Sequence, residues 1–291
     1  MWTTGRSAPL RGDRGAVISR TAYLDDTPAP LQLGDWAEAL ARMNPDTALS
    51  HRTGGQLWGL WLPRFDGIEV TTPARNGRSS YTTGVQRRSV IAHRRLTDPD
   101  DITIRFGLPV LSLERTWLDL AAVLDLPDLI AAGDSALRAG ASKAELVERA
   151  MRLRRVRGAV AARRAAPLLD ARSRSRPESR LRGGIVLAGL PVPEVNEPIY
   201  DAHGGWLAEP DLHYKRAKLA LEFNGGMHAE LDRMRRDSVR LLGMQREDWH
   251  VLTYTAPHAF GRLHEVVTDV YENLCRRDPE AIVRCRVRRP R

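Results

Sequence analysis

Apolar residues recur every three or four positions along several segments of the chain, and this period predicts amphipathic helices. In the first half, such segments cover 35–43 (after a cap at Asp35), 49–60, 113–124, 127–139 and 143–156. Two further runs, at 68–71 and 89–93, have the composition of strands. The pattern therefore predicts a small α+β unit whose helices gather at its end.

A different order of elements begins at Ser175, which is a suitable helix N-cap. Pro177 and Glu178 fall in the first turn of that helix, and Leu181 and Ile185 form its apolar stripe. The elements that follow are a hairpin around 204–205 (strands 199–202 and 206–208), strands 212–214 and 219–223, a helix over 230–246, a strand over 249–255 and a helix over 263–274. This order predicts a mixed sheet flanked by helices, so the fold class of the chain is α/β of the α+β type.

Composition shifts divide the 291 residues further, and this length favours two domains. The predicted segments are an irregular region 1–34, the α+β domain 35–156, a basic bridge 157–176, the second domain 177–275 and a basic tail 276–291. Helix propensity is high in the bridge, which favours a rigid helical connection over a loose tether.

The overall composition excludes several classes of protein. With 42% hydrophobic and 28% charged residues, the chain is not wholly disordered. No apolar run is long enough to span a membrane, and no secretory signal is visible at the N-terminus. Cys275 and Cys285 are too few for a disulfide framework and lack partners for a zinc site. We expect free thiols in a cytoplasmic protein that has no membrane partner.

Positive charge is concentrated on arginine. The net charge is +9, and only three of the 45 basic residues are lysines. A G+C-rich genome explains much of that skew, but not its position: eleven arginines lie between Met151 and Arg182, against two acids. Guanidinium groups suit phosphate, although such a run is also compatible with a solvated surface. The charge therefore favours a polyanion partner such as a nucleic acid.

Three carboxylates occupy positions where they could act together. Asp211 lies at the start of one predicted strand, Glu222 lies near the end of the next, and Glu178 lies in the first turn of the preceding helix. If the strands pair about 4.8 Å apart, Asp211 and Glu222 approach each other and need a cation between them. Oxygen ligands suit Mg²⁺ or Mn²⁺, which could activate water against a phosphodiester. The alternative is that each acid pairs with an arginine, Glu178 with Arg182 and Asp211 with Arg216.

The strand that carries Glu222 adds candidate groups. Alternation places Lys218, Glu222 and Asn224 on one face, where a lysine could orient a metal-bound water. The alternative interpretation is that Lys218 is an ordinary charged residue at the end of a strand. After a Gly-Gly turn, His228 could donate to phosphate or act as an acid or base, or it could be a plain surface residue.

The following helix presents a charged face made of Arg233, Arg236, Asp237 and Arg240 at helical spacing. This face could line a groove for phosphates, with Asp237 holding an arginine in place. A salt-bridged face in contact with solvent is the alternative.

Together these motifs resemble the PD-(D/E)xK nuclease superfamily, and more narrowly the domain group related to very-short-patch repair endonucleases. The resemblance covers about 175–275, and its motifs are 177–182, 209–212, 221–228, Asp237 with Arg240, and 249–252. It implies a restriction-endonuclease-like core in which Asp211, Glu222 and the carbonyl of Phe223 bind the metal. In that core Glu178 supports the metal through water, and His228 and Asp237 occupy further polar positions. One departure is Asn224, which stands where the superfamily usually has lysine and the closer group has aspartate.

The first half resembles, more loosely, AbiEi-type antitoxin proteins. The motifs lie at 49–53, 58–60, 108–110 and 113–120. Such proteins place a DNA-binding winged helix ahead of a helical domain, and here a winged helix would have to come from about 1–35.

The expected function is therefore a Mg²⁺- or Mn²⁺-dependent endonuclease that hydrolyses phosphodiester bonds in DNA. Its expected phosphate contacts are Arg180, Arg182, Arg233, Arg236 and Arg240. The alternative is a non-catalytic, antitoxin-type DNA-binding regulator with a degenerate nuclease core, which Asn224 favours. A nuclease that acts on RNA is a third reading, for which the sequence offers no aromatic stacking platform. The oligomeric state stays open, a homodimer included.

Overall fold

A five-stranded mixed sheet organises the first half of the chain. The structure is a computed structural model that describes residues 46–73, 90–95, 99–225 and 240–285, together with Gly34 and Leu40. The strands are β1 (Ala48–Leu49), β2 (Ile68–Pro73), β3 (Val90–Arg95), β4 (Ile102–Arg105) and β5 (Leu108–Leu111). They lie in the order β3-β2-β1-β5-β4, with parallel pairing of β2 with β3 and of β1 with β5.

Several helices accompany this sheet in the first half of the chain. They are α1 (His51–Trp58), α2 (Leu113–Leu120), α3 (Leu126–Arg138), α4 (Lys143–Arg152) and α5 (Ala159–Ala165). Ser112, Asp125 and Ser142 each accept a backbone hydrogen bond that starts the next helix. Apolar side chains from these helices, Trp117 and Ile130 among them, form one buried cluster. The bridge predicted at 157–176 is helical over α5, over a following 3₁₀ turn (Ala166–Leu168) and at its last residue, Arg176, which begins the next helix.

A four-stranded mixed sheet organises the second half. After helix α6 (Arg176–Leu187), the strands are β6 (Glu194–Val195), β7 (Ile199–Tyr200), β8 (Trp206–Ala208), β9 (Leu212–Tyr214), β10 (Leu219–Phe223) and β11 (His250–Tyr254). The sheet order is β11-β10-β9-β6, in which only β10 and β11 pair in parallel, while β7 and β8 form a separate hairpin. The predicted mixed sheet flanked by helices, and with it the α+β fold class, is confirmed.

The remaining helices cover this sheet. They are α7, described over 240–246, α8 (Ala256–Phe260), α9 (Leu263–Arg277) and α10 (Pro279–Cys285). The predicted basic tail at 276–291 is wrong for its described part, because Arg276 and Arg277 end α9 and Ile282 of α10 is buried in the core. Residues 286–291 lie outside the described residues.

Helix α6 contacts both halves of the chain. It packs against α3 of the first half and against α8 and α9 of the second. Two glycines permit this close approach: a Cβ at Gly183 would meet Ile130 Cδ1 at 3.3 Å, and one at Gly184 would meet Leu263 Cδ2 at 3.2 Å. Its N-terminus is capped as predicted, because Ser175 Oγ accepts the Glu178 N–H at 3.4 Å.

Candidate functional site

Asp211 and Glu222 are brought together by the antiparallel pairing of β9 with β10. Leu212 pairs with Leu221 in this register, so the next positions, Asp211 and Glu222, lie across from each other at the end of the ladder. Asp211 Oδ2 accepts the backbone N–H of Phe223 at 2.7 Å, which fixes the carboxylate beside the end of β10. The predicted meeting of these two segments is therefore present.

Glu178 reaches the same place from the first turn of α6. Its Oε1 accepts Ser175 Oγ at 2.7 Å, and its Oε2 accepts the Arg174 N–H at 2.9 Å and Asn196 Nδ2 at 3.2 Å. Asn196, in a left-handed conformation (φ 47°), also donates its N–H to the Asp211 carbonyl at 3.0 Å. Asn196 thus connects Glu178 to Asp211, and we call Glu178, Asp211 and Glu222 the carboxylate cluster.

The carboxylate cluster carries more negative charge than its surroundings neutralise. Burial raises the pKa of Asp211, and the charges of Glu178 and Glu222 raise it further, to about 7. The Phe223 N–H and the positive charge of Arg240 act in the opposite direction but do not compensate. Such a site favours the gain of a proton or a cation.

Arg240, at the start of the described part of α7, supplies an opposing charge. Its Nη2 donates to Glu222 Oε2 at 3.0 Å, and its Nη1 lies 2.9 Å from Oε1. Arg240 was expected to contact phosphate, but in this structure it contacts a carboxylate. The two arginine pairings considered as alternatives do not form, because Arg182 reaches Asp134 at 2.7 Å and Arg216 reaches Glu280 at 3.0 Å.

The donor chemistry of the carboxylate cluster fits Mg²⁺ or Mn²⁺, since every side-chain donor is a carboxylate oxygen. The present arrangement is not that of a completed metal centre. Among the described residues, no three His, Cys, Asp or Glu side chains are grouped as ligands for one ion. Glu222 is instead held by the Arg240 guanidinium, as described above.

Lys218 lies away from the carboxylate cluster, contrary to the role predicted for it. Its Nζ donates to the Glu247 carbonyl at 2.7 Å, and its backbone has a left-handed φ of 45° in the turn before β10. Lys218 precedes the first residue of β10, so the alternation of the strand does not govern the direction of its side chain, and the predicted shared face with Glu222 does not apply. Asn224 follows the strand, is exposed and donates its N–H to the Tyr254 carbonyl at 2.7 Å.

Arg180 and Arg182 were predicted to bind nucleic acid, and the structure contradicts this. Both are buried, Arg180 against Asp128 at 2.6 Å and the Ala259 carbonyl at 2.8 Å, and Arg182 against Asp134. These charges connect α6 to α3 in the interior. A signal was present in the sequence, since acids interrupt the otherwise apolar segment of α3.

Several other predicted site residues belong to the segments that the structure does not describe. His228, Arg233, Arg236 and Asp237 lie outside the described residues. So do the helix expected around 35–43, apart from Leu40, and the region of about 1–35 considered for a winged helix, apart from Gly34. The carbonyl of Phe223 as a metal ligand stays a prediction.

A second charged cluster, in the first half, was not predicted. Glu69 on β2 has only 1% of its side chain exposed. Its Oε1 accepts a hydrogen bond from Arg52 Nη2 at 2.8 Å and lies 3.4 Å from His93 Nε2. The ring of His93 stacks on that of His51, 3.6 Å between centroids, and His51 has a left-handed φ of 49°. Burial acts to raise the pKa of Glu69, but hydrogen bonds from His93 and Arg52 lower it to about 2. A charged residue inside the strand pattern of 68–71 was the available signal.

The β7–β8 hairpin exposes two aromatic side chains. Tyr200 and Trp206 pair across the hairpin and are 56% and 61% exposed. The hairpin leaves from Asn196 and returns to Asp211, so its base adjoins the carboxylate cluster. Exposed aromatic rings can stack on unpaired bases. The hairpin thus presents an exposed aromatic pair that the sequence analysis did not identify.

The fold and the site together describe an α+β protein with a carboxylate cluster at one end of a mixed sheet. Similar proteins include the uncharacterized proteins MT2308 and Rv2248 of Mycobacterium tuberculosis, from strains CDC 1551 / Oshkosh and ATCC 25618 / H37Rv. Each is 33% identical over 139 residues, which are 47% of this chain and 51% of the relative. The chain thus matches about half the length of these curated relatives.

Two other comparisons gave no match: no protein-family model matches the chain, and neither does any solved structure. Within the described ranges, no helix is both long and apolar enough to cross a membrane.

Proposed function

We propose that this protein is a metal-dependent endonuclease that hydrolyses phosphodiester bonds in DNA and acts in the cytoplasm. The observation that supports this most is the convergence of Glu178, Asp211 and Glu222, where burial and then the neighbouring carboxylate charges raise the pKa of Asp211 to about 7. Three carboxylates that meet in a half-buried position repel one another and lose hydration, which destabilises the fold unless a cation or a proton is bound.

In this proposal Asp211 and Glu222 hold Mg²⁺ or Mn²⁺, with the Phe223 carbonyl beside them. The ion would supply an activated water and neutralise charge on the scissile phosphate. Glu178 positions the site through Asn196, and the Phe223 N–H orients the Asp211 carboxylate. His228 remains the candidate acid or base of the following segment, and a homodimer is compatible with the proposal.

The test is plasmid nicking with Mg²⁺ or Mn²⁺. Asp211→Asn and Glu222→Gln keep shape and hydrogen-bonding capacity while they remove charge, so we expect both to lose nicking. Glu148→Gln removes an acid from the exposed face of α4 and should nick at the wild-type rate. Equal nicking by all four proteins would assign the activity to a contaminant or another site and reject the proposal.

A second candidate is a non-catalytic DNA-binding regulator of antitoxin type. Two observations favour it: Asn224 stands where the superfamily usually has lysine, and Lys218, the nearest lysine in the sequence, lies in the turn before β10 and donates to the Glu247 carbonyl. This candidate predicts DNA binding that is sensitive to salt and indifferent to EDTA, with no cleavage under either metal. A gel-shift titration with and without EDTA, beside the nicking assay, separates the two candidates.

A further inference from the structure

We infer that Arg240 is the resident cation of the carboxylate cluster, and that a divalent metal binds only after displacing it from Glu222. The inference rests on the proposed function, because it concerns how the same site becomes loaded. It assigns Arg240 a regulatory role: its guanidinium occupies the position that the metal needs, and it is released when the metal arrives.

The contact between Arg240 and Glu222 has the properties of a displaceable pair. Both ends of the guanidinium face the carboxylate, at 3.0 Å and 2.9 Å, yet only the contact from Nη2 to Oε2 is directed as a hydrogen bond. Among the described residues, no donor is aimed at Glu222 Oε1. One oxygen of Glu222 therefore retains the capacity to take a better-directed ligand.

The pair also lies where solvent and ions can reach it. The side chains of Arg240 and Glu222 are 25% and 17% exposed, in contrast to the fully enclosed pair of Arg182 with Asp134. An ion pair with partial solvent access exchanges partners at a much smaller desolvation cost than a buried one. The chain thus contains both kinds of arginine–carboxylate pair, and only the accessible one lies at the carboxylate cluster.

Charge balance explains why a divalent ion would win the exchange. The Arg240 guanidinium contacts Glu222, while Glu178 and Asp211 add two further carboxyl groups to the carboxylate cluster. A divalent cation brings twice the charge in a smaller volume and can contact oxygens of Asp211 and Glu222 together. The displaced Arg240 is then available for a phosphate, which is the partner that the sequence suggested for it.

The experiment measures Mn²⁺ binding to the full-length, EDTA-stripped protein by isothermal titration calorimetry, without DNA. Arg240→Gln removes the competing charge, and we expect it to bind Mn²⁺ about tenfold more tightly than the wild type. Arg240→Lys restores a positive charge and should return the affinity toward the wild-type value. Arg246→Gln removes an equal charge from an exposed position of the same helix and should leave the affinity unchanged.

The outcomes separate the inference from the proposed function. If the wild type binds Mn²⁺ and Arg240→Gln binds it equally or more weakly, Arg240 is a supporting residue and the inference is overturned while the nuclease proposal stands. If neither protein binds Mn²⁺ although thermal melting shows both folded, inference and proposed function fail together. Tighter binding by Arg240→Gln that Asp211→Asn abolishes in the same background places the competition at the carboxylate cluster.

Discussion

Asp211 and Glu69 are both carboxyl groups with little exposure, yet their pKa values move in opposite directions. Around Asp211, burial and the charges of Glu178 and Glu222 raise the pKa to about 7. Around Glu69, burial also disfavours the charge, but His93 and Arg52 donate hydrogen bonds and lower the pKa to about 2. Burial acts in the same direction on both pKa values, so the difference between the neighbouring groups decides the direction of the net shift.

The raised pKa of Asp211 predicts that ionising it destabilises the fold. Its contribution to stability is fully present below the unfolded pKa of 3.8 and is lost as pH rises through about 7. Asp211→Asn should therefore raise the free energy of unfolding by about 2 kcal/mol at pH 8 and by little at pH 4. Urea denaturation in EDTA at both pH values measures this, with the exposed Asp66→Asn as the control. A constant difference between the two pH values would contradict the raised pKa.

Glu69 should behave in the opposite way. Because its pKa falls from 4.5 to about 2 on folding, its stabilisation is present above pH 4.5 and is lost as pH falls toward 2. We expect Glu69→Gln to lower the free energy of unfolding by about 2–3 kcal/mol at pH 7 and by much less at pH 3. Denaturation curves at the two pH values test this. The surface variant Glu148→Gln should lower the free energy of unfolding by under about 1 kcal/mol at either pH. If Glu69→Gln had no larger effect than this control, the hydrogen bonds from Arg52 and His93 would not stabilise the Glu69 carboxylate.

At the scale of elements, helix α6 is fixed by charges that cross from one half of the chain to the other. Arg176 and Arg180 meet Asp128, and Arg182 meets Asp134, all on α3. Buried pairs of this kind add little net stability as pairs, but removal of one partner leaves an uncompensated charge in the interior.

Arg182→Gln should therefore destabilise the fold by about 3–5 kcal/mol. Arg172→Gln, which removes an exposed arginine paired with Asp170, should cost under about 1 kcal/mol. Adding Asp134→Asn to Arg182→Gln should recover part of the stability, because the stranded carboxylate is removed, and a double-mutant cycle by chemical denaturation measures that coupling. Purely additive effects would rule out a direct pair.

Elements with local signals could be predicted from the sequence, whereas elements defined by distant partners could not. Strands β9 and β10 and the cap at Ser175 were predicted correctly because alternation and capping act over a few residues. Strand β1 was missed, since its two residues form a strand only by pairing with β2 and β5 far along the chain. Two predicted helices end earlier than expected, at Leu120 and Arg152, because periodicity does not mark where a helix stops.

The residues of the candidate site also divide into those with local sequence signals and those whose partners are distant in the sequence. The meeting of Asp211 with Glu222 depends on the register of two neighbouring strands, and the sequence indicated it. The burial of Arg182 depends on an acid 48 positions away, so arginines that belong to the interior were interpreted as a surface for phosphate. An arginine looks the same in the sequence whether its guanidinium lies in the interior or in solvent, because the distant acid that pairs with it cannot be identified from the sequence.

At the scale of the whole molecule, the basic stretch is smaller than the sequence suggested. At least six of its eleven arginines pair with acids, namely Arg152, Arg172, Arg174, Arg176, Arg180 and Arg182. The other arginines of the stretch include three with exposed side chains in and near helix α5, namely Arg154, Arg155 and Arg164. If the protein binds DNA, these are the described arginines of this stretch best placed to contact phosphate.

The triple variant Arg154→Gln, Arg155→Gln and Arg164→Gln should weaken DNA binding and flatten its salt dependence. Removing one neutralised phosphate reduces the steepness of log K against log salt by about 0.9. Fluorescence anisotropy with a labelled duplex between 50 and 200 mM salt, about the range where such interactions matter, measures the slope. A control that removes equal charge elsewhere (Arg138, Arg216 and Arg284 to Gln) should keep the slope, and an equal change in both variants would mean that only net charge matters.

The shared position of α6 also determines how the protein can be divided experimentally. A fragment that began at 177, where the composition changes, would keep Arg180 and Arg182 but leave Asp128 and Asp134 behind, so two guanidinium groups would meet solvent or an apolar surface. The carboxylate-bearing half should accordingly express poorly on its own and aggregate. Co-expression with the segment that supplies α3 should rescue its yield, which makes the two halves a complementation pair.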